Sequence, residues 1–94
     1  MSVLSADSVA ERLKGLAGWK LENGEIVRHF EFPDFRAAMR FIDVVAEKAE
    51  AAGHHPDIDI RYNRVRLALI SHDAGGLTER DMQMAKVLSS LKTG

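Results

Sequence analysis

The residues able to do chemistry gather between Glu50 and Asp81. His54 and His55 stand together before Pro56, His72 follows an apolar stretch, and carboxylates flank them at Glu50, Asp73 and Asp81. Free imidazole titrates near pH ~6.5, so one ring can hold a proton while another accepts one at neutral pH. Gathered on a small molecule, such rings suit proton transfer in both directions. The plainer reading of His54 and His55 is a polar helix-to-strand junction, and of His72 a surface histidine at a strand end. Metal coordination fits poorly. Neighbouring residues in an extended chain point apart, no helix carries two histidines one turn apart, and the chain has no cysteine to act as a soft ligand. His29 has no motif around it and reads as structural. Gly75 and Gly76 precede a helix, but without a lysine they do not form a P-loop.

A hairpin is what would bring these histidines together. Ile58, Ile60 and Tyr62 alternate with Asp57, Asp59 and Arg61, and Val65, Leu67 and Leu69 alternate with Arg66, Ala68 and Ile70, the period of a half-buried strand. A two-residue loop at Asn63 and Arg64 pairs Tyr62 with Val65, Ile60 with Leu67 and Ile58 with Leu69, so apolar residues meet on one face. Continued past the strands, that register sets His55 opposite His72. Upstream, Ser5 can cap a helix running to about Gly15, with Val9, Leu13 and Leu16 turned to the core. Trp19 to Leu21 reads as a short strand, Asn23-Gly24 as a tight turn, and Ile26 to Phe32 as the return. Asp34 can cap a long helix whose stripe is Phe35, Ala38, Met39, Ile42, Val45, Ala46 and Ala49, with Gly53 as terminator. Thr78 caps a last helix, Asp81 taking the third position of a capping box, with Met82, Ala85, Val87, Leu88 and Leu91 on its buried side. The expected fold is α+β, in the order α-β-β-α-β-β-α, with one four-stranded antiparallel sheet and three helices on one face.

Composition bounds the rest. Ninety-four residues, 46% hydrophobic and 29% charged, suit a single domain spanning 1–94. A formal net charge of -1 gives no electrostatic case for nucleic acid or an anionic membrane. Without cysteine, disulfides and thiolate chemistry are excluded. No signal pattern or membrane-length apolar run occurs, so a cytoplasmic protein is expected. A core this small makes self-association unsurprising.

The run His54-His55-Pro56, then Tyr62-Asn63, His72, Gly76-Leu77-Thr78 and Asp81, with Glu50, Val65, Leu69 and Ala85, resembles the pterin-4a-carbinolamine dehydratases, also known as dimerisation cofactors of a hepatocyte transcription factor. Trp19 and Phe32-Pro33-Asp34-Phe35 fit the same family. The resemblance implies dehydration of 4a-hydroxytetrahydropterin to quinonoid dihydropterin, without metal or organic cofactor, in the recycling of a pterin used by an aromatic amino acid hydroxylase. It implies catalytic roles for His54, His55 and His72; from the chemistry we expect His54 and His72 to be the acid–base pair and His55 to hold the ring. It places Ser71, Asp73, Arg80 and Asp81 near the substrate, where Gly53 and Pro56, flanking the histidines, are also expected to bind. Trp19 reads as core or as a flat wall beside the pterin, and Glu50, one helical turn before His54, as an exposed helix glutamate or as the holder of an imidazole tautomer. The resemblance further implies a homodimer or homotetramer assembled through sheet edges and the long middle helix. This chain has Gly53 where the family often has aspartate, and Ser71 where threonine is common. Two alternatives stay open: a non-catalytic dimerisation or regulatory partner, and a pterin-directed role in molybdopterin metabolism.

Overall fold

The computed structural model describes residues 2–91. Its elements are α1 (Ala6–Leu13), β1 (Lys20–Glu22), β2 (Glu25–Glu31), α2 (Phe35–Ala52), β3 (Asp57–Arg61), β4 (Arg64–Leu69) and α3 (Glu79–Ser89). The four strands form one antiparallel sheet in the order β1-β2-β4-β3. Ile26 and Phe30 of β2 and Val65, Leu67 and Leu69 of β4 turn to the helices. They meet Val9 of α1, Ala38, Phe41 and Val45 of α2, and Met82, Met84, Ala85 and Leu88 of α3 in one core. The helices cover that face alone, as the order of elements led us to expect.

Local rules account for most boundaries. Ser5 accepts from the backbone N–H of Ser8 at 3.1 Å and starts α1. Asp34 does the same for α2 through Ala37 at 2.8 Å. Asn23 and Gly24 both adopt positive φ, 50° and 82°, as a two-residue hairpin turn requires. α2 ends on Gly53 with φ 64°, where a side chain would be strained. Its buried stripe is Ala38, Phe41, Val45 and Ala49. Phe35 and Met39, expected inside, are 50% and 37% exposed, and Ala46 is also exposed. The stripe centres on Phe41, whose ring centroid lies 4.8 Å from that of Phe30 and 4.9 Å from that of Phe32. In α3, Val87 lies outside at 40% exposure, and Met84 takes the buried place instead.

The second hairpin departs from the expected register by two residues. Ile58 pairs with Leu67 and Ile60 with Val65, so the turn is Tyr62-Asn63 rather than Asn63-Arg64. A two-residue shift keeps every side chain on its face, because strand faces repeat every two residues, and hydrophobic patterning cannot detect it. A long-range clamp selects the observed turn. Asn63 Nδ2 donates to the Phe32 carbonyl at 2.7 Å, and the Phe32 N–H donates to the Asn63 carbonyl at 2.9 Å. Tyr62 consequently sits at φ 54°, a left-handed conformation that costs a side-chain-bearing residue about 1–2 kcal/mol. Its ring is 66% exposed and contributes little packing. Tyr62→Gly should therefore be neutral or raise stability by up to about 1 kcal/mol, after the entropy cost of glycine. A urea midpoint that moves up or stays, at unchanged m-value, is the expected result; a fall of more than about 1 kcal/mol would show that the tyrosine ring has a packing role.

Arg12 of α1 pairs with Glu79 at the start of α3, and Glu79 also accepts from Gln83 Nε2 at 2.9 Å. The Arg12 hydrogen bond holds the Glu79 carboxyl down at about 2, from 4.5. A carboxyl depressed on folding adds stability that is present above its unfolded value and lost as pH falls through the folded one. This contribution should thus fade between about pH 4.5 and pH 2. Acid titration of the melting temperature should show it, and Arg12→Ala should flatten that limb relative to pH 7.

Candidate active site

The segment that follows α2, the loop after β4 and the first turn of α3 converge on one cleft of about 360 Å³. It is lined by Gly53, His54, His55, Ile70, His72, Asp73 and Arg80. His54, His55 and His72 thus line one cleft, but the expected pairing of His55 with His72 across the hairpin does not form. The observed register, continued beyond the strands, brings position 54 across from 71 instead. His54 and Ser71 meet there through a common partner, Asp81.

Asp81 is fully buried and lies in the first turn of α3. Its Oδ1 accepts from His54 Nε2 at 2.6 Å. Its Oδ2 accepts from Ser71 Oγ at 2.8 Å and from the Thr78 backbone N–H at 2.9 Å. Since Ser71 spends its proton on Asp81, its oxygen accepts from the Thr78 hydroxyl, 2.8 Å away. Every donor around the carboxylate is used, as a buried charge demands. Nε2 of His54 carries the proton in this arrangement, and Nδ1 is the nitrogen left without a protein partner among the described residues. Ser71 and Asp81 are both 0% exposed. They were expected beside the substrate; burial puts them behind His54, where they hold its ring.

His55 is exposed, and its Nε2 lies 2.5 Å from Glu50 Oε2. Glu50 thus holds His55, not His54 as helical spacing suggested, because His54 turns inward after the left-handed Gly53. His72 is exposed, with no side-chain hydrogen bond among the described residues. Arg80 donates from Nη2 to Asp73 Oδ1 at 2.5 Å across the mouth of the cleft. This pairing holds the Asp73 carboxyl below the usual carboxylate range. The Nε of Arg80 is buried and lacks a partner among the described residues. Gly53 lines the cleft without a side chain, and a Cβ there would meet nothing within 4 Å. Room for the family's common aspartate is present, but its carboxylate is not. Pro56 is buried and does not line the cleft.

Trp19 is not part of this site. Its ring is 4% exposed, packs edge-on to Phe30 at 6.5 Å, and donates from Nε1 to Ser89 Oγ at 2.8 Å. Ser89 is the last residue of α3, whereas Arg80 and Asp81 are in its first turn, about 12–14 Å away along the helix. Arg28 shares Ser89 Oγ at 3.1 Å. The indole is core, with a polar handle that finds a partly buried partner. Among the described residues no group of three or more histidine, aspartate or glutamate side chains is placed to hold a metal ion.

The sequence profile described as "Pterin 4 alpha carbinolamine dehydratase" matches residues 2–91. The chain belongs to this family. It is 62% identical over 91 residues to a protein of Acidobacterium capsulatum whose name places it among these dehydratases, covering 97% of this chain and 99% of that one. A similarly named protein of Chloroflexus aurantiacus is 57% identical, over 97% and 98% of the two chains. A solved structure from Brucella melitensis, described as a transcriptional coactivator/pterin dehydratase, superposes with a TM-score of 0.93 at 34% identity, covering 98% of this chain and 100% of that one. A pterin dehydratase-like RuBisCO assembly factor of the α-carboxysome shares the fold at TM-score 0.64 and 22% identity, over 78% and 84% of the two chains. A pterin carbinolamine dehydratase-like function follows for the family as a whole. No helix among the described residues is long and apolar enough to cross a membrane.

Proposed function

We propose that this chain, as one domain over residues 1–94, is a hydro-lyase that dehydrates 4a-hydroxytetrahydropterin to quinonoid dihydropterin. The observation that carries it is the buried Asp81 holding Nε2 of His54 in a cleft that His55 and His72 also line. Dehydration asks for two proton movements. The hydroxyl on C4a must receive a proton so that it leaves as water, the C4a–O bond breaking as the neighbouring nitrogen lone pair forms a double bond to C4a. A ring nitrogen must then release a proton. His54 offers Nδ1 in a fixed tautomer, and His72 offers an exposed imidazole. These suit the two tasks, and positioned transfer of this kind supplies about 10²- to 10⁴-fold. His55, steadied by Glu50, and Arg80, steadied by Asp73, are placed to hold the ring.

The test is a stopped-flow assay with freshly generated 4a-carbinolamine, following quinonoid dihydropterin. Acceleration over the spontaneous reaction is expected; none at micromolar protein would sink the proposal. Three histidines lining one cleft, one of them held by a buried carboxylate, favour turnover over a solely regulatory role. Recycling for an aromatic amino acid hydroxylase in the cytoplasm is the pathway this chemistry serves, and a role towards molybdopterin would draw on the same cleft. Exposed Phe35, Met39 and Val44 on α2 and Ile58 on the edge strand β3 support a homodimer or homotetramer. Sedimentation analysis would give the number of copies.

A further inference from the structure

The loop that carries His72 and Asp73 is closed by a rung of backbone between Ser71 and Gly76. The Ser71 N–H donates to the Gly76 carbonyl at 3.1 Å, and the Gly76 N–H donates to the Ser71 carbonyl at 3.3 Å. The N–H groups of Ala74 and Gly75 reach the same Ser71 carbonyl, both at 3.0 Å. These bonds shape the loop but tie it to nothing else. The tie comes from the start of the chain. Ahead of α1, the Leu4 N–H donates to the Leu77 carbonyl at 2.7 Å. Among the described residues no other backbone hydrogen bond joins residues 72–77 to a distant part of the chain. The Leu4 side chain packs against the core. Val3, 49% exposed, rests on Gly76: a Cβ at position 76 would stand 2.8 Å from Val3 Cγ1. The far side of the rung faces the site. Ser71 Oγ donates to Asp81, which holds His54, and His72 is the next residue along.

We propose that Val3 and Leu4 are positioning residues for the cleft: pressed on Gly76 and bonded to Leu77, they set the Ser71–Gly76 rung, and through it the His72 imidazole and the Ser71–Asp81 hold on His54. The inference rests on the dehydratase reading and extends it to two residues that do not line the cleft. Proton transfer needs donor and acceptor within hydrogen-bond reach. A misplacement of about 1 Å, even from a change far from the chemistry, can cost about 10²-fold. The glycine at 76 has its reason in the same contact. Its φ lies outside the left-handed region, so no backbone strain bars alanine there; the Val3 methyl does.

The test is a steric swap at Val3 and Gly76. Both are at least partly exposed, so the fold should survive. Gly76→Ala drives a methyl into Val3 and should lift the segment off the loop, lowering kcat about 10-fold with KM within about 2-fold. Adding Val3→Ala leaves the two methyl carbons 3.7 Å apart, an ordinary contact. That double variant should recover kcat to within about 3-fold of wild type. NMR signals of the His54 and His72 imidazoles should shift in Gly76→Ala and return in the double variant, a response that a contact serving stability alone would not give. Wild-type kcat in Gly76→Ala, or a loss that Val3→Ala does not relieve, would overturn the positioning role and leave the dehydratase reading intact. If wild-type protein turns over no carbinolamine, the dehydratase reading falls and the imidazole signals decide alone. Signals unmoved by Gly76→Ala would then overturn the positioning role as well.

Discussion

Asp81→Asn lowers kcat about 10²-fold or more and leaves KM within a few-fold. The expectation comes from counting donors. Oδ2 of Asp81 accepts from the Thr78 backbone N–H and from Ser71 Oγ, and Oδ1 accepts from His54 Nε2. Asparagine keeps one oxygen. A backbone N–H cannot reverse its role, so that oxygen stays with Thr78 and the new NH₂ group faces His54. Two donors cannot share one hydrogen bond, so His54 must move its proton from Nε2 to Nδ1. The nitrogen left to exchange protons with substrate is then blocked. The fold should lose only about 1–3 kcal/mol, the range for a buried hydrogen bond made unfavourable. Nitrogen NMR of the imidazole should show the tautomer reversed, a signature that a merely structural role for Asp81 would not give. Wild-type kcat in a folded Asp81→Asn protein would exclude His54 Nδ1 from the chemistry.

His72→Ala should cut kcat/KM by about 10²- to 10⁴-fold with almost no change in stability. His72 is exposed and makes no side-chain hydrogen bond among the described residues. Its removal leaves no cavity and no buried group unpaired, so the cost should stay within about 0.5 kcal/mol, or roughly 2–4 °C in Tm. The contrast with His54 is the sharper check. His54→Ala strips a donor from a buried carboxylate and opens space beside it, so activity and stability should fall together. A His72→Ala protein with wild-type turnover would leave the site with a single proton-transfer group and contradict the paired mechanism.

Much of this molecule was legible from residue type and spacing. Ser5, Asp34 and Thr78 announced helix starts because their short polar side chains or backbone can pair at orphan N–H groups. Asn23-Gly24 announced a hairpin because few other pairs tolerate two left-handed residues. The cluster of His54, His55 and His72 was visible as chemistry, though not as geometry. These signals are local: each depends on atoms within a few residues of one another.

What the tertiary structure alone decided depends on partners far apart in the chain. The β3–β4 register could slip by two without moving any side chain to the wrong face, and only the clamp between Asn63 and Phe32 separates the alternatives. The burial of Ser71 and Asp81 behind His54 and the removal of Trp19 into the core follow from how α3 docks on the sheet. Sequence determined which groups can carry protons; packing determined which of their nitrogens are free to do so, because a tautomer is set by a neighbour's lone pair and not by the residue itself.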